Sequence, residues 1–312
     1  MTHPDKPKPR FPRSPQTPRH EEGAPRHSEP PAAPGSDPHD KLAKIAGLQA
    51  VSALFQRDPG RVIRLYFNDK MKKAVGEFCA EMAKRQRPYR LVEDSELQKI
   101  AGTVLHGGVV AAALPRVAAD FDVGMAKAWA EAGEPVVILD RVGNPHNLGA
   151  VARTLAYFGL KYLLISDHPG QAGLSDAAHR VAEGGLEHVE VYRVAHLPQV
   201  LRQMREFYRV AGTTLRGHAL DLARLPDDPR PLALVLGNEE DGLPAETLAA
   251  CEMAVIIRGA GRVQSLNVSA TAAILIHQMA LERASPRQKT PPSSAGQGRQ
   301  RPQRGGGAGG KP

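Results

Sequence analysis

The 312-residue chain carries 41 Lys and Arg against 33 Asp and Glu, a formal charge of +8, and only 4% of its residues are aromatic. No apolar run approaches the ~20 residues that a membrane-spanning helix needs, and Cys79 and Cys251 stand apart without a CxxC, which excludes a zinc cluster and a disulfide framework. Two lone thiols, and an N-terminus without a basic end joined to an apolar stretch, are expected of a cytoplasmic protein.

Residues 1–40 hold 11 of the 27 prolines with six basic and six acidic side chains, and almost no aliphatic ones. Such a segment buries too little apolar surface to offset chain entropy and is expected to be a disordered tail. From residue 41 the text changes. Ile45, Leu48, Val51, Leu54 and Phe55 recur at helical spacing and predict a helix. Residues 61–67 alternate as a strand does, 72–85 read as an amphipathic helix, and 89–92 as a short strand. Residues 95–101 predict a helix capped by Ser95. His106-Gly107-Gly108 then leads into a strand over 109–114. Together these predict a small α/β domain over residues 41–116, followed by a helical connector over 117–133.

From residue 134 strands and helices alternate. Strands are predicted at 136–140, 162–165, 189–192, 209–213, 232–236 and 254–257. Helices are predicted at 147–158, 175–183, 197–207, 245–250 and 266–281. The apolar, β-branched strands suit burial on both faces, so residues 134–283 predict one α/β domain on a mainly parallel sheet. The last segment, 284–312, holds six basic residues, no acidic ones and five prolines. It is expected to be a second disordered tail, with a charge that suits sequence-independent contact with phosphate backbones.

Ligands of open α/β sheets bind beyond the carboxyl ends of strands, which directs attention to three loops. After the first strand comes Asp140-Arg141-Val142-Gly143-Asn144-Pro145-His146-Asn147-Leu148-Gly149, with Arg153 further along the helix that Asn147 is placed to cap. The second loop is Leu236-Gly237-Asn238-Glu239-Glu240-Asp241-Gly242, whose glycines allow close backbone approach to a ligand. The third runs from Ile257 through Arg258, Gly259, Ala260, Gly261 and Arg262 to Ser265-Leu266-Asn267-Val268-Ser269, a polar opening to an apolar helix. Gly259-x-Gly261 lacks the third glycine of a dinucleotide loop and lies near the end of the domain, and no phosphate-binding P-loop is present.

The three motifs, in this order and at these separations, resemble those of the SpoU (TrmH-type) RNA 2′-O-ribose methyltransferases. The resemblance covers about residues 134–283, and the segment around 44–116 is similar to the small substrate-binding domain found in many members. It implies a trefoil-knotted α/β fold, S-adenosylmethionine as cofactor, RNA (rRNA or tRNA) as substrate and a homodimer with residues of both protomers at the site. No metal is implied. Carried over by position, Leu236, Gly237, Asn238, Ile257, Ala260 and Leu266 bind the cofactor. Arg153, Asn147, Glu239, Ser265 and Asn267 act on the ribose, with Glu239 as ion-pair partner of Arg153. The resemblance puts Arg153 beside the ribose as the group that accepts the proton or orients the hydroxyl. A guanidinium is a poor base, so fixing the adjacent phosphate and polarising the hydroxyl is the preferred role, and proton acceptance requires a site that perturbs it strongly. Arg258 and Gly259 depart from the Pro and large apolar residue that many members carry. Two other readings are an RNA-binding or assembly protein that keeps the fold without turnover, and a nucleotide-dependent α/β enzyme of another kind.

Overall fold

Two sheets organise the chain. The computed structural model describes residues 42–215, 219–221, 228–238 and 240–284. Both expected tails lie outside these residues except for Ala284, and so does Glu239.

The first sheet contains β1 (Ala43–Ala46), β2 (Val62–Phe67), β3 (Tyr89–Leu91) and β4 (Val109–Ala113), in the order β1-β4-β2-β3. β4 runs antiparallel to both β1 and β2, and β3 is parallel to β2. Helices α1 (Leu48–Arg57) and α2 (Gly76–Lys84) pack their apolar sides on one face, around Ile45, Leu54, Leu65, Met82 and Ala111. On the other face α3 (Asp94–Ala101) brings Leu97 against Val92 and Val110.

Two expectations need correction here. Ile45 lies in a strand opposite Ala111, because Gly47 at φ 92° turns the chain and its N–H bonds the Val109 carbonyl at 3.0 Å. The helix therefore begins only at Leu48. Ser95 is not a cap either: α3 starts at Asp94, whose carboxylate accepts from Asn68 Nδ2 at 2.7 Å.

The second sheet has seven strands: β5 (Ala119–Asp120), β6 (Val136–Leu139), β7 (Tyr162–Ser166), β8 (Glu190–Val194), β9 (Arg209–Thr213), β10 (Leu232–Leu236) and β11 (Met253–Val255). Their order is β11-β9-β10-β6-β7-β8-β5, and every pairing is parallel. β6 and β10 are buried along their whole length, as strands covered on both faces must be. Helices α5 (Pro145–Tyr157), α6 (Asp176–Ala182), α7 (Gly185–His188) and α10 (Val268–Ala284) build an aliphatic core on one face. On the other face α4 (Val123–Glu131), α8 (Leu197–Met204) and α9 (Ala245–Ala250) build a second. The chain runs outward from β6 to β7 and β8, then returns to place β10 on the other side of β6. Doubly wound sheets bind ligands beyond the carboxyl ends of their strands, and here the ends of β9, β10 and β11 lie together on one side of that reversal.

Residues 117–133 are not a purely helical connector. Ala119 and Asp120 add β5 to the sheet edge beside Tyr192 and Arg193 before α4 begins. At the start of α5 the cap is Asn144, whose side chain accepts from His146 N at 2.9 Å, with Pro145 in the first turn; Asn147 is buried one turn in. Gly149 lets α5 meet α6 closely, since a Cβ there would lie 2.4 Å from the Ala178 carbonyl oxygen. The end of α10 is fastened by Arg283 to Glu134 at 2.9 Å and by an Arg209–Glu282 ion pair.

Both sheets belong to one compact unit, and a buried polar cluster joins them. Arg61 Nη1 meets Glu187 Oε2 at 2.9 Å, and Arg57 donates to the Glu187 carbonyl at 3.2 Å. Arg116 donates to the carbonyls of Leu186 and Val189. His179 lies beside them, and burial, with Arg61 and Arg116 nearby, pushes its pKa down to about 4. Among the described residues no helix is long and apolar enough to cross a membrane, and no cluster of three or more His, Cys, Asp or Glu could hold a metal ion.

Candidate functional site

The chain segments that leave β9, β10 and β11 lie side by side and enclose a cleft of about 870 Å³, floored by the first turns of α10. Small-molecule sites fall in the range of about 300–1,000 Å³, so the cleft suits a nucleoside-sized ligand. Leu236, Gly237, Asn238, Ile257, Ala260 and Leu266 all line it, as does Ser265.

The loop after β10 closes on itself. Asn238 and Gly242 exchange two backbone hydrogen bonds, at 3.2 and 3.0 Å. The Asn238 side chain accepts from Glu240 N at 2.7 Å and donates to the Arg141 carbonyl at 3.1 Å, so it holds the loop as well as lining the cleft. Gly237 has no room for a side chain: a Cβ would stand 2.3 Å from the Gly242 carbonyl carbon. Backbone therefore forms this wall, with Glu240 and Asp241 adding carboxylates to the lining. Opposite, the segment after β11 contributes Ile257 and Leu266 as apolar walls, with Arg258 and Arg262 along an exposed stretch.

Asn267 serves two elements. Its Oδ1 accepts from Ser269 N at 2.8 Å and Ser269 Oγ at 2.6 Å, capping α10, while its Nδ2 donates to Asn147 Oδ1 at 3.2 Å. The first and third motifs are thereby brought together at the N-terminal ends of α5 and α10.

Arg153 is elsewhere. Six residues separate it from Asn147, which at about 100° per residue turns it some 240° around α5. Its guanidinium Nη1 pairs with Glu183 Oε1 at 2.9 Å, in a smaller hollow of about 270 Å³ against α1 and α7. The expected partner Glu239 lies outside the described residues, and the ion pair that the structure gives Arg153 is with Glu183. The motifs alone did not single out Glu183. Thr213 and Thr214, which also line the cleft, could have been found by applying to β9 the post-strand rule that found the other loops. Cys251 is not a nucleophile: it is buried beneath β9, and burial pushes its thiol up to about 12.

Residues 134–277 match the sequence profile described as the SpoU rRNA Methylase family, and residues 44–116 match that described as RNA 2′-O ribose methyltransferase substrate binding. Over 237 residues the chain is 34% identical to YfiF of Escherichia coli O157:H7, an uncharacterised tRNA/rRNA methyltransferase, spanning 75% of this chain and 66% of that protein. Over 244 residues it is 30% identical to the 23S rRNA (guanosine-2′-O-)-methyltransferase RlmB of Acinetobacter baylyi, spanning 76% of this chain and 96% of the relative. In fold it is similar to the AdoMet-bound rRNA methyltransferase of Sinorhizobium meliloti, with a TM-score of 0.64 at 22% identity over 79% of this chain and 89% of the other. It is also similar to the SpoU methyltransferase AviRb of Streptomyces viridochromogenes, with a TM-score of 0.61 at 21% identity over 78% and 90%.

Proposed function

The chain belongs to the SpoU rRNA methylase family, and from that premise we propose that it methylates a ribose 2′-hydroxyl of structured RNA, rRNA or tRNA, with S-adenosylmethionine as donor. The observation that carries this reading is the cleft beyond β9, β10 and β11, lined by both the Leu-Gly-Asn and the Ser-Leu-Asn segments. Its residues fit the donor. Leu236, Ile257 and Leu266 offer apolar walls to a flat heterocycle. The backbone around Gly237 offers hydrogen-bonding edges, and Glu240 and Asp241 suit a ligand carrying positive charge. Bound there, the donor supplies an electrophilic methyl group on a sulfonium.

The protein's own task is then to orient a weak oxygen nucleophile and to assist loss of its proton. Ser265, at the cleft, and Asn267, fixed by its bond to Asn147, are placed to hydrogen-bond the ribose. Glu239, next to Asn238 in sequence, is assigned to the same group. Arg153 is assigned to the adjacent phosphate and the hydroxyl as a fixed cation with a planar fork of donors.

Because Arg153 turns away from the cleft of its own chain, the reading requires a homodimer in which Arg153 of the partner subunit completes each site. Tyr157 on α5 and Ile274 and Leu281 on α10 are exposed apolar side chains that support such a contact. The four-stranded layer of residues 41–116 is assigned to RNA binding, residues 134–283 to catalysis, and the path from β9 to α10 to the trefoil knot. With rRNA or tRNA as substrate, the activity is assigned to the cytoplasm.

Mapping ribose methylation across rRNA and tRNA, with and without the protein, tests this directly. At least one site should vanish in its absence and fail to return with Arg153→Ala, whose rate should fall by about 10²–10³-fold. A methylation map unchanged by loss of the protein would leave only an RNA-binding role without turnover.

A further inference from the structure

More than its own helix holds Arg153 in place. A Cβ added at Gly185 would lie 2.7 Å from the Arg153 Cα and 3.0 Å from its nitrogen, so α7 presses directly on the backbone of the arginine. Interiors packed this closely leave a backbone little room to shift. At the other end of the side chain Glu183 Oε1 meets Nη1 at 2.9 Å. Glu183 closes α6 in the left-handed region, at φ 45° and ψ 44°, a position that glycine usually occupies. Strain of this kind persists only where the surroundings impose it, and it gathers at functional sites.

Stability does not account for the pair. Its side chains are 55% and 53% exposed, and ion pairs so open to water stabilise a fold very little. The hollow around it is lined by Gln49, Ser52 and Gln56 of α1 as well as by Tyr157 and His188. Arg153 thus stands where the four-stranded layer, the part assigned to RNA, meets the seven-stranded one.

We propose that Glu183 is a positioning residue for Arg153: it takes one terminal nitrogen of the fork and directs the remaining donors outward, toward an oxygen of the bound RNA. This rests on the reading of Arg153 given above. The carboxylate does not touch substrate; it sets the direction from which the guanidinium meets it.

The test compares the full-length protein with Arg153→Ala, Glu183→Gln, Glu183→Asp and Glu183→Gly. Methyl transfer to total RNA from cells lacking the protein is measured alongside thermal melting without cofactor. Misplacing a positioned group costs up to about 10²-fold in rate, so Glu183→Gln should lower kcat by about 10- to 100-fold with KM for S-adenosylmethionine unchanged. Glu183→Asp should recover part of that loss. Glu183→Gly should melt no lower than the parent, since glycine accepts the left-handed backbone, and yet be as slow as Glu183→Gln.

Glu183→Gln at the parental rate beside an inactive Arg153→Ala would overturn the positioning role and leave Arg153 standing. Parental turnover by Arg153→Ala would remove both. A rate loss that only follows a lower melting temperature, or that appears only as a raised KM for the donor, would also overturn the proposal.

Discussion

Two glutamates four residues apart, Glu183 at the end of α6 and Glu187 in α7, each pair with an arginine at 2.9 Å, in opposite environments. Arg61 and Glu187 are 13% and 4% exposed, whereas Arg153 and Glu183 are 55% and 53% exposed. The first pair is wrapped with His179 and Arg116 between the two sheets. There Arg61 Nη2, Glu187 Oε1 and His179 Nε2 find no hydrogen-bond partner among the described residues. Groups so placed join the sheets in one geometry, and losing any one of them leaves a buried charge or dipole uncompensated. The second pair is half open to solvent. Removing it costs the fold little, which leaves it able to serve a substrate. Distance alone does not separate a structural ion pair from a functional one; burial does.

Substitutions at each pair sharpen that contrast. Glu187→Ala should have the largest effect on stability, about 3–5 kcal/mol, because it strands Arg61 in a buried site. Chemical denaturation would measure this, and a loss below about 1 kcal/mol would show that the cluster is already wet. Next comes pH. With its folded pKa held down to about 4, His179 stays neutral in the folded protein while the unfolded chain takes up a proton near pH 6.5. Stability should therefore fall as pH drops from about 6.5 to about 4, by roughly 3 kcal/mol, and the His179 contribution should be flat above and below that window. His179→Gln should flatten the slope, whereas parallel slopes in parent and variant would place the titration elsewhere. The smallest effect belongs to the exposed pair: Arg153→Ala should change stability by less than about 1 kcal/mol, as surface pairs do. A loss as large as that of Glu187→Ala would erase the distinction.

Much of the larger sheet was legible from composition. Strands such as Val136–Leu139 and Leu232–Leu236 are apolar because they are covered on both faces, and that pattern needs no partner to be read. The cleft was legible too, since the Leu236–Asn238 and Ser265–Asn267 segments follow strands whose ends meet there. What escaped depends on distant partners. Ile45 keeps helical spacing with Leu48 and Val51, and only its pairing with Ala111 makes it a strand residue. β5 is two residues long and exists because β8 offers an edge. Asn147 reads as the cap of α5, yet Asn144 takes that place ahead of Pro145, and the bond from Asn267 helps to hold Asn147 inside the helix. Glu183 carries no local mark except the two glycines that follow it. Its role depends on which face of α5 meets α6.

Calorimetric titration of S-adenosylmethionine into the parent protein, Arg153→Ala and Gly237→Val tests the central claim, that the donor is held by a cleft that the guanidinium of its own chain does not line. The parent and Arg153→Ala should each take up one donor per chain with the same affinity, and Gly237→Val, whose side chain would collide with Gly242, should take up none. No uptake by the parent, or parental affinity in a Gly237→Val protein that melts like the parent, would contradict it.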